Sequence, residues 1–176
     1  TFSSAIPQKD DKGDVSESPA YFVKKLASAP TNELVKDLRV QLSTQPVAWY
    51  KKFRDVRGIE VLMELLAKVD QKYRNKPEGF RLQNEVLRTL KACFHSKVHV
   101  EEFATDGSRL KKLILSIDAG DETVRALTYE LMGLIALFAD EGPAHLSGAF
   151  EFLRYTRSMK HRFKPLIDAL RLESSL

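Results

Sequence analysis

Residues 38–53, LRVQLSTQPVAWYKKF, join the end of one helix to a second, aromatic-anchored helix through a short polar break. Before the break, Leu38 and Leu42 lie four residues apart, which is the spacing of one helix face. Pro46 disfavours helical geometry at the residue before it but suits a first helical turn itself. Trp49 follows at once. The stretch therefore predicts two helices that meet at a tight turn.

Apolar residues continue at helical spacing through the rest of the chain. The stripes are Ile59, Leu62, Met63, Leu66 and Val69; Val86, Leu90, Cys93 and Phe94; Val98, Val100 and Phe103; Leu110, Leu113, Ile114 and Ile117; Val124, Leu127, Leu131, Leu134, Ile135 and Phe138; and Phe163, Leu166, Ile167 and Leu170. Ser18 and Asp121 are predicted N-caps. We expect a polar loop at 75–79, the end of the longest stripe at Gly142–Pro143, and a further helix over about 144–158. No segment alternates apolar and polar residues like a strand, so the chain is predicted to be all-helical.

Two of the predicted helices have similar sequences. LRTLKACFHS begins at Leu87 and LMGLIALFAD at Leu131, an offset of 131 − 87 = 44, and the helices before them begin at Gly58 and Gly107, an offset of 107 − 58 = 49. Armadillo and HEAT repeats have periods of roughly 40 to 47 residues. These offsets favour an armadillo/HEAT-like superhelix of about three to four repeats, whose groove is lined by the last helix of each unit. An ordinary helical bundle remains the alternative.

Domain organisation follows from composition. Residues 1–17 mix charge, Ser, Gly and Pro without an apolar period, so we predict a flexible leader there and one ordered domain over 18–176. No apolar run approaches the roughly 20 residues of a membrane span, and no signal peptide precedes the first helix. We therefore expect a soluble intracellular protein.

Charge and motif content narrow the function. The chain has 28 basic and 24 acidic residues and a net charge of +4, which mildly favours an acidic protein face, an acidic membrane surface or nucleic acid as partner. Its basic clusters at 51–57 and 154–164 are interpreted as solvated helix faces. Cys93 is the single cysteine, so thiols form neither a disulfide framework nor a zinc site. No phosphate loop or nucleophile–base motif occurs, so we expect no catalysis and no cofactor.

Six segments, in order, resemble the regulatory region of diaphanous-related formins, the armadillo-repeat GTPase-binding and formin homology 3 domain. They are SPAYFVKKL (18–26), LRVQLSTQPVAWYKKF (38–53), GIEVLMELL (58–66), LRTLKACFHSKVHV (87–100), YELMGLIALF (129–138) and RFKPLIDAL (162–170). The resemblance implies a module that binds an amphipathic autoregulatory helix from the formin's C-terminus and releases it to an active Rho-family GTPase. It further implies control of actin nucleation and elongation through other domains, in the cytoplasm at the actin cytoskeleton or cell cortex.

By the same resemblance, the autoregulatory helix contacts five residues of the second and third repeats. They are Lys91, His95, Leu134, Leu137 and Phe138. Lys91 and His95 are four residues apart, which on a helix would give them one face and make a polar edge beside an apolar floor. Leu134 and Phe138 also fit the buried stripe, so a purely structural role remains open for them.

The family's GTPase contact falls on the turn at Thr44 and Gln45, where the family often has asparagines. The helical GTPase-binding segment that normally precedes this region is expected to be missing here, which predicts weak GTPase binding by the chain alone. The chain is interpreted as a regulatory fragment or a divergent short relative.

Three other readings stay open. A general armadillo adaptor would bind some other peptide without GTPase input. A basic helical repeat would bind nucleic acid through the cluster at 51–57 beside Trp49 and Tyr50. A zinc ion would be held by His95 and His99 with Glu101 or Glu102, although that ligand set is incomplete.

Overall fold

The computed structural model describes residues 18–74 and 76–173. Within those ranges it contains ten α-helices, one short 3-10 turn at Ile114–Ser116, and no strand. The helices are α1 Pro19–Ser28, α2 Asn32–Thr44, α3 Val47–Asp55, α4 Gly58–Tyr73, α5 Pro77–Cys93, α6 Lys97–Ala104, α7 Gly107–Leu113, α8 Glu122–Phe138, α9 Gly142–Thr156 and α10 Lys164–Glu173. The all-helical prediction is confirmed. None of these helices is long and apolar enough to cross a bilayer.

Local capping explains where several helices begin. Ser18 accepts a hydrogen bond from the Tyr21 N–H (3.2 Å) with Pro19 in the first turn, and Asp121 accepts one from the Val124 N–H (3.0 Å). A side-chain oxygen at the N-cap satisfies one of the donors that a helix start leaves unpaired. Both predicted N-caps are therefore confirmed.

Two predicted boundaries are wrong. Helix α5 begins at Pro77, so the predicted loop at 75–79 is shorter and Gly79 lies inside a helix; Asn75 is outside the described residues. Helix α8 ends at Phe138, and Gly142–Pro143 begins α9 instead of ending α8. Proline fits the first turn of a helix, because its missing N–H would have no partner there. The predicted leader at 1–17 also lies outside the described residues.

The helices form two layers. In the inner layer α2 packs on α5, and α5 on α8; in the outer layer α4 packs on α7, and α7 on α9. Helices α3–α5 and α6–α8 form two complete three-helix units, flanked by the pairs α1–α2 and α9–α10. A continuous core runs between the layers and includes Cys93, whose pKa is raised by burial.

Polar contacts between units repeat at the period of the sequence. The Arg54–Glu102 pair (2.6 Å) spans 48 residues, and the pair Glu60–Arg109 (2.5 Å) spans 49. Similar positions of successive units therefore face each other, as stacked repeats require. The offsets of 44 and 49 read from the sequence are confirmed, and the simple bundle is not needed to explain them.

A buried arginine links three units. The Arg157 side chain is 7 % exposed and donates two hydrogen bonds to the Asp70 carboxylate, both 2.8 Å, and one to Asp118 (3.1 Å). Asp70 lies in α4, Asp118 precedes α8, and Arg157 follows α9. Burial opposes the charge of Arg157, but its hydrogen bonds to the Asp70 carboxylate and the negative charge of Asp118 outweigh burial and raise the pKa of Arg157. The interpretation of the cluster at 154–164 as a solvated face is therefore wrong for this residue.

A tight contact at the start of α4 gives a first stability prediction. A Cβ added to Gly58 would lie 2.3 Å from the ring of Phe53, which is fully buried and stacked on Trp49. We expect Gly58→Ala to lower the free energy of unfolding by about 1–3 kcal/mol, because the ring has no room to move. Urea unfolding followed by circular dichroism measures this.

The matched control is Gly148→Ala in α9, where an added Cβ meets nothing within 4 Å. Alanine at an open helical position is expected to raise stability by about 0.5–1 kcal/mol. Equal and small effects of the two substitutions would contradict the proposed crowding at Gly58.

Candidate functional site

The three inner helices run parallel, so their ends lie along common edges. The N-terminal halves of α2 and α5 and the start of α8 line one shallow cavity of about 360 Å³. Their C-terminal ends therefore lie together on the opposite edge. We call this edge the C-terminal rim and define it as residues 40–47, 91–99 and 130–140. All seven residues predicted to bind partners lie on it: Thr44, Gln45, Lys91, His95, Leu134, Leu137 and Phe138.

The end of α8 supplies an exposed apolar surface. Leu137 is 79 % exposed and Phe138 44 %, whereas Leu134 is half-buried. Leu131 and Ile135 of the same helix are fully buried. Helix α8 therefore has a core side and a separate solvent side. A purely structural role does not account for Phe138, and accounts only in part for Leu134.

Lys91 forms the polar edge of this surface. Its ammonium lies 2.5 Å from the Glu130 carboxylate of α8, and both side chains are about half exposed. An ion pair in such a position is weak and exchangeable, because water competes for both charges. Glu130 was not identified from the sequence, although its charge and its place one turn before Leu134 were visible there.

His95 is placed differently from the prediction. Helix α5 ends at Cys93 and Phe94 is its C-cap, so Lys91 and His95 do not share a helix face. The His95 ring instead contacts Tyr50 of α3 edge-on, with centroids 5.7 Å apart. His95 therefore bridges the α5–α6 connection to α3, and Tyr50 is a partner that spacing along the sequence could not identify.

Thr44 and Gln45 are exposed at the end of α2. The Thr44 hydroxyl donates to the Val40 carbonyl (2.8 Å), and the Gln45 amide donates to the Gln41 side-chain oxygen (2.9 Å). Both side chains are thus oriented by their own helix. The turn presents polar groups next to Val40 and Val47, which are 46 % and 58 % exposed.

One further apolar residue lies on the rim. Val98 belongs to the same apolar stripe as Val100 and Phe103, but it is 57 % exposed while the other two are buried. Lys97, beside it, reaches Asp140 just after α8 (3.8 Å). Val98 therefore lies near the end of α8 and extends the exposed apolar surface.

The nucleic-acid and zinc readings lose geometric support. Trp49 is partly buried with one ring face stacked on Phe53 at 5.8 Å, and Tyr50 is 5 % exposed, so both aromatics pack against the core. Glu101 and Glu102 pair with Lys97 and Arg54. Among residues 18–74 and 76–173, no three ligating side chains converge on a metal position.

His99 gives a prediction for the effect of pH. Its ring lies 4.4 Å from Tyr50, and its Nδ1 is shielded from solvent without a hydrogen-bond partner. Burial lowers the pKa of His99, because it disfavours the charged ring. In the unfolded chain this imidazole has its ordinary pKa of about 6.5, so it binds a proton more readily there than in the folded protein. This contribution to stability is present above that pH and is lost as the pH falls below it.

The measurement is the free energy of unfolding from pH 8 to pH 5.5 in the wild type and in His99→Gln. We expect the wild type to lose more stability on acidification than the variant. His161→Gln, at an exposed position, is the control and should follow the wild type. Parallel curves for the wild type and His99→Gln would contradict the prediction.

Comparison with known proteins identifies the family. The model of the diaphanous GTPase-binding domain matches residues 2–137. The chain belongs to this family. The domain of that name covers most of the chain, which supports GTPase binding by this region, while the expected absence of the helical segment before it stays a prediction. This formin domain is a regulatory GTPase-binding module, and its family is not a catalytic one.

Full-length formins are among the relatives of this GTPase-binding domain. This chain is 26 % identical over 171 residues to Formin-F of Dictyostelium discoideum, and the matched region covers 97 % of this chain and 14 % of that protein. It is 24 % identical over 173 residues to Protein diaphanous homolog 2 of Mus musculus, covering 96 % and 16 %. Cytokinesis protein sepA of Emericella nidulans is 25 % identical over 152 residues, covering 81 % and 8 %. The chain thus spans less than a fifth of each of these relatives.

Proposed function

We propose that the C-terminal rim binds an amphipathic autoregulatory helix from the same formin and releases it when an active Rho-family GTPase binds. Bound helix would keep the formin inactive, and its release would permit actin nucleation and elongation by domains outside this chain. The proposed setting is the cytoplasm, at the actin cytoskeleton or cell cortex. The observation that carries the proposal is the exposed pair Leu137 and Phe138 beside the ion pair of Lys91 with Glu130.

The chemistry of the rim fits a helix better than an extended peptide strand. Leu134, Leu137 and Phe138 are spaced i, i+3 and i+4, so their side chains lie on one side of α8. An amphipathic helix places its own apolar residues at the same spacing and can lay them along such a surface. Lys91 and Glu130 flank it with one charge of each sign, which would orient the charged residues of the ligand.

The proposed GTPase contact adjoins the helix-binding surface. Thr44 and Gln45 end α2, and α3 begins two residues later with Val47. Tyr50 of α3 contacts His95, which belongs to the proposed helix site. Because only one turn of helix and one ring contact separate the two sites, a GTPase bound at the turn would crowd the near end of the helix. This supports displacement by direct competition.

Calorimetric titration of the purified chain tests the proposal. A leucine-bearing amphipathic peptide is expected to bind with submicromolar affinity, and GTP-loaded Rho, but not GDP-loaded Rho, is expected to bind and to weaken the peptide. An adaptor without GTPase input would bind the peptide regardless of Rho. Absence of peptide binding, with salt-steep binding to RNA instead, would overturn the proposal, since phosphate contacts weaken strongly as salt rises.

A further inference from the structure

The end of α9 and its connection to α10 form a segment rich in positive charge. Residues 152–167, FLRYTRSMKHRFKPLI, contain five Lys and Arg residues and no Asp or Glu. Arg157 is turned inward, as described above, but Lys160 and Arg162 are exposed. Neither has a carboxylate within ion-pair distance among the described residues. The segment therefore presents cations whose charge the fold does not neutralise.

A neighbouring unit adds to this charge. Lys111 of α7 is exposed and its ammonium lies 5.9 Å from the ring centre of Phe152. Arg154 and Lys164 also lie here, each paired with one carboxylate, at 2.7 Å from Glu151 and 2.5 Å from Asp168. Five cations and two carboxylates leave a clear positive excess on one surface.

Exposed aromatic rings lie among these cations. Tyr155 is 69 % exposed, and the Arg154 guanidinium covers one face of its ring at 4.2 Å. Phe163 is 38 % exposed, lies under Arg162 at 4.7 Å, and packs edge-on against Phe150 at 5.1 Å. Each of these two rings thus has a guanidinium group over one face and is otherwise partly open to solvent.

We propose that this basic aromatic surface, defined by Lys111, Arg154, Tyr155, Lys160, Arg162 and Phe163, docks on an anionic lipid bilayer. Lysine and arginine are attracted to the negative charge of phosphatidylserine and phosphoinositide headgroups. Tyrosine and phenylalanine rings enter the interface between headgroups and acyl chains. Stacking of nucleic-acid bases needs open ring faces, and guanidinium groups occupy one face of each ring here.

None of the six residues of the docking surface belongs to the C-terminal rim as defined at 40–47, 91–99 and 130–140. Each surface can therefore be substituted without changing a residue of the other, and the two binding activities can be tested separately. A chain docked through this surface would be held beside the membrane, where a lipid-anchored partner is also concentrated.

Vesicle sedimentation of the full 176-residue chain at near-physiological salt tests the proposal. We expect binding to phosphatidylcholine vesicles that contain phosphatidylserine and none to phosphatidylcholine alone. The double substitution K160Q/R162Q should weaken binding roughly 30-fold, because each cation near the surface contributes about a fivefold gain. Tyr155→Ser should also weaken vesicle binding. Its effect relative to the wild type should be larger at raised salt, where the charge attraction is screened.

The control K51Q/K52Q removes the same charge from exposed positions on α3 and should leave vesicle binding nearly unchanged. Circular dichroism and thermal unfolding check that each variant is folded. Equal losses in the two double variants would overturn the assignment, as would absence of binding to anionic vesicles. Binding to RNA of similar strength and with the same dependence on Lys160 and Arg162 would also overturn it.

Discussion

Replacing Arg157 with methionine is expected to lower the free energy of unfolding by about 3–5 kcal/mol, the typical effect of removing one partner of a buried ion pair. The Asp70 side chain is 9 % exposed and would lose the two hydrogen bonds that Arg157 donates. Asp118 would lose one contact but keep Arg74. Methionine fills similar volume, so the loss of stability reports the stranded carboxylate and not a cavity.

Chemical denaturation of the wild type and Arg157→Met measures this effect. Arg154→Met is the matched control, since Arg154 pairs with Glu151 at the surface and its removal should leave the unfolding midpoint nearly unchanged. A second variant, Asp70→Leu with Arg157→Met, removes both charges and should recover part of the lost stability. If Arg157→Met and Arg154→Met had the same effect, the three-unit link would not stabilise the fold.

Arg157 also shows where sequence reasoning ends. Its partners lie 87 and 39 residues away, and nothing within one helix distinguishes it from the exposed cations beside it. Helix starts are different, because the signals are local: Ser18 and Asp121 each cap a helix within three residues. The repeat offset could be predicted for the same reason, since each unit has its own apolar residues at helical spacing.

Only part of the candidate site's geometry could be predicted from the sequence. The end of α8 followed from the resemblance to the formin family, and its exposure of Leu137 agrees with a binding role. The position of His95 did not follow, because α5 ends at Cys93 without a proline or glycine to mark it. Ser96, which the structure places as the N-cap of α6, was the one local sign that a new helix begins there.

Substituting Leu137 with aspartate is expected to weaken binding of the autoregulatory helix roughly 100-fold, which is the effect of losing a central apolar anchor of an interface. Leu137 is 79 % exposed in the free domain, so stability should not change. Leu134→Asp is a less clear test, because Leu134 is half-buried and a charge there would also strain the fold. Calorimetric titration with the helix peptide measures the loss, and thermal unfolding verifies the fold.

Ile167→Asp in α10 is the matched control, since Ile167 is 44 % exposed and lies outside the rim. It should leave peptide affinity unchanged. GTP-loaded Rho should bind Leu137→Asp as it binds the wild type, because the proposed GTPase contact is at Thr44 and Gln45 on α2. Loss of both ligands would mean that they share Leu137, and unchanged peptide affinity would mean that the helix docks elsewhere. Loss of the peptide alone would show that the end of α8 anchors the helix and that the GTPase contact does not need Leu137.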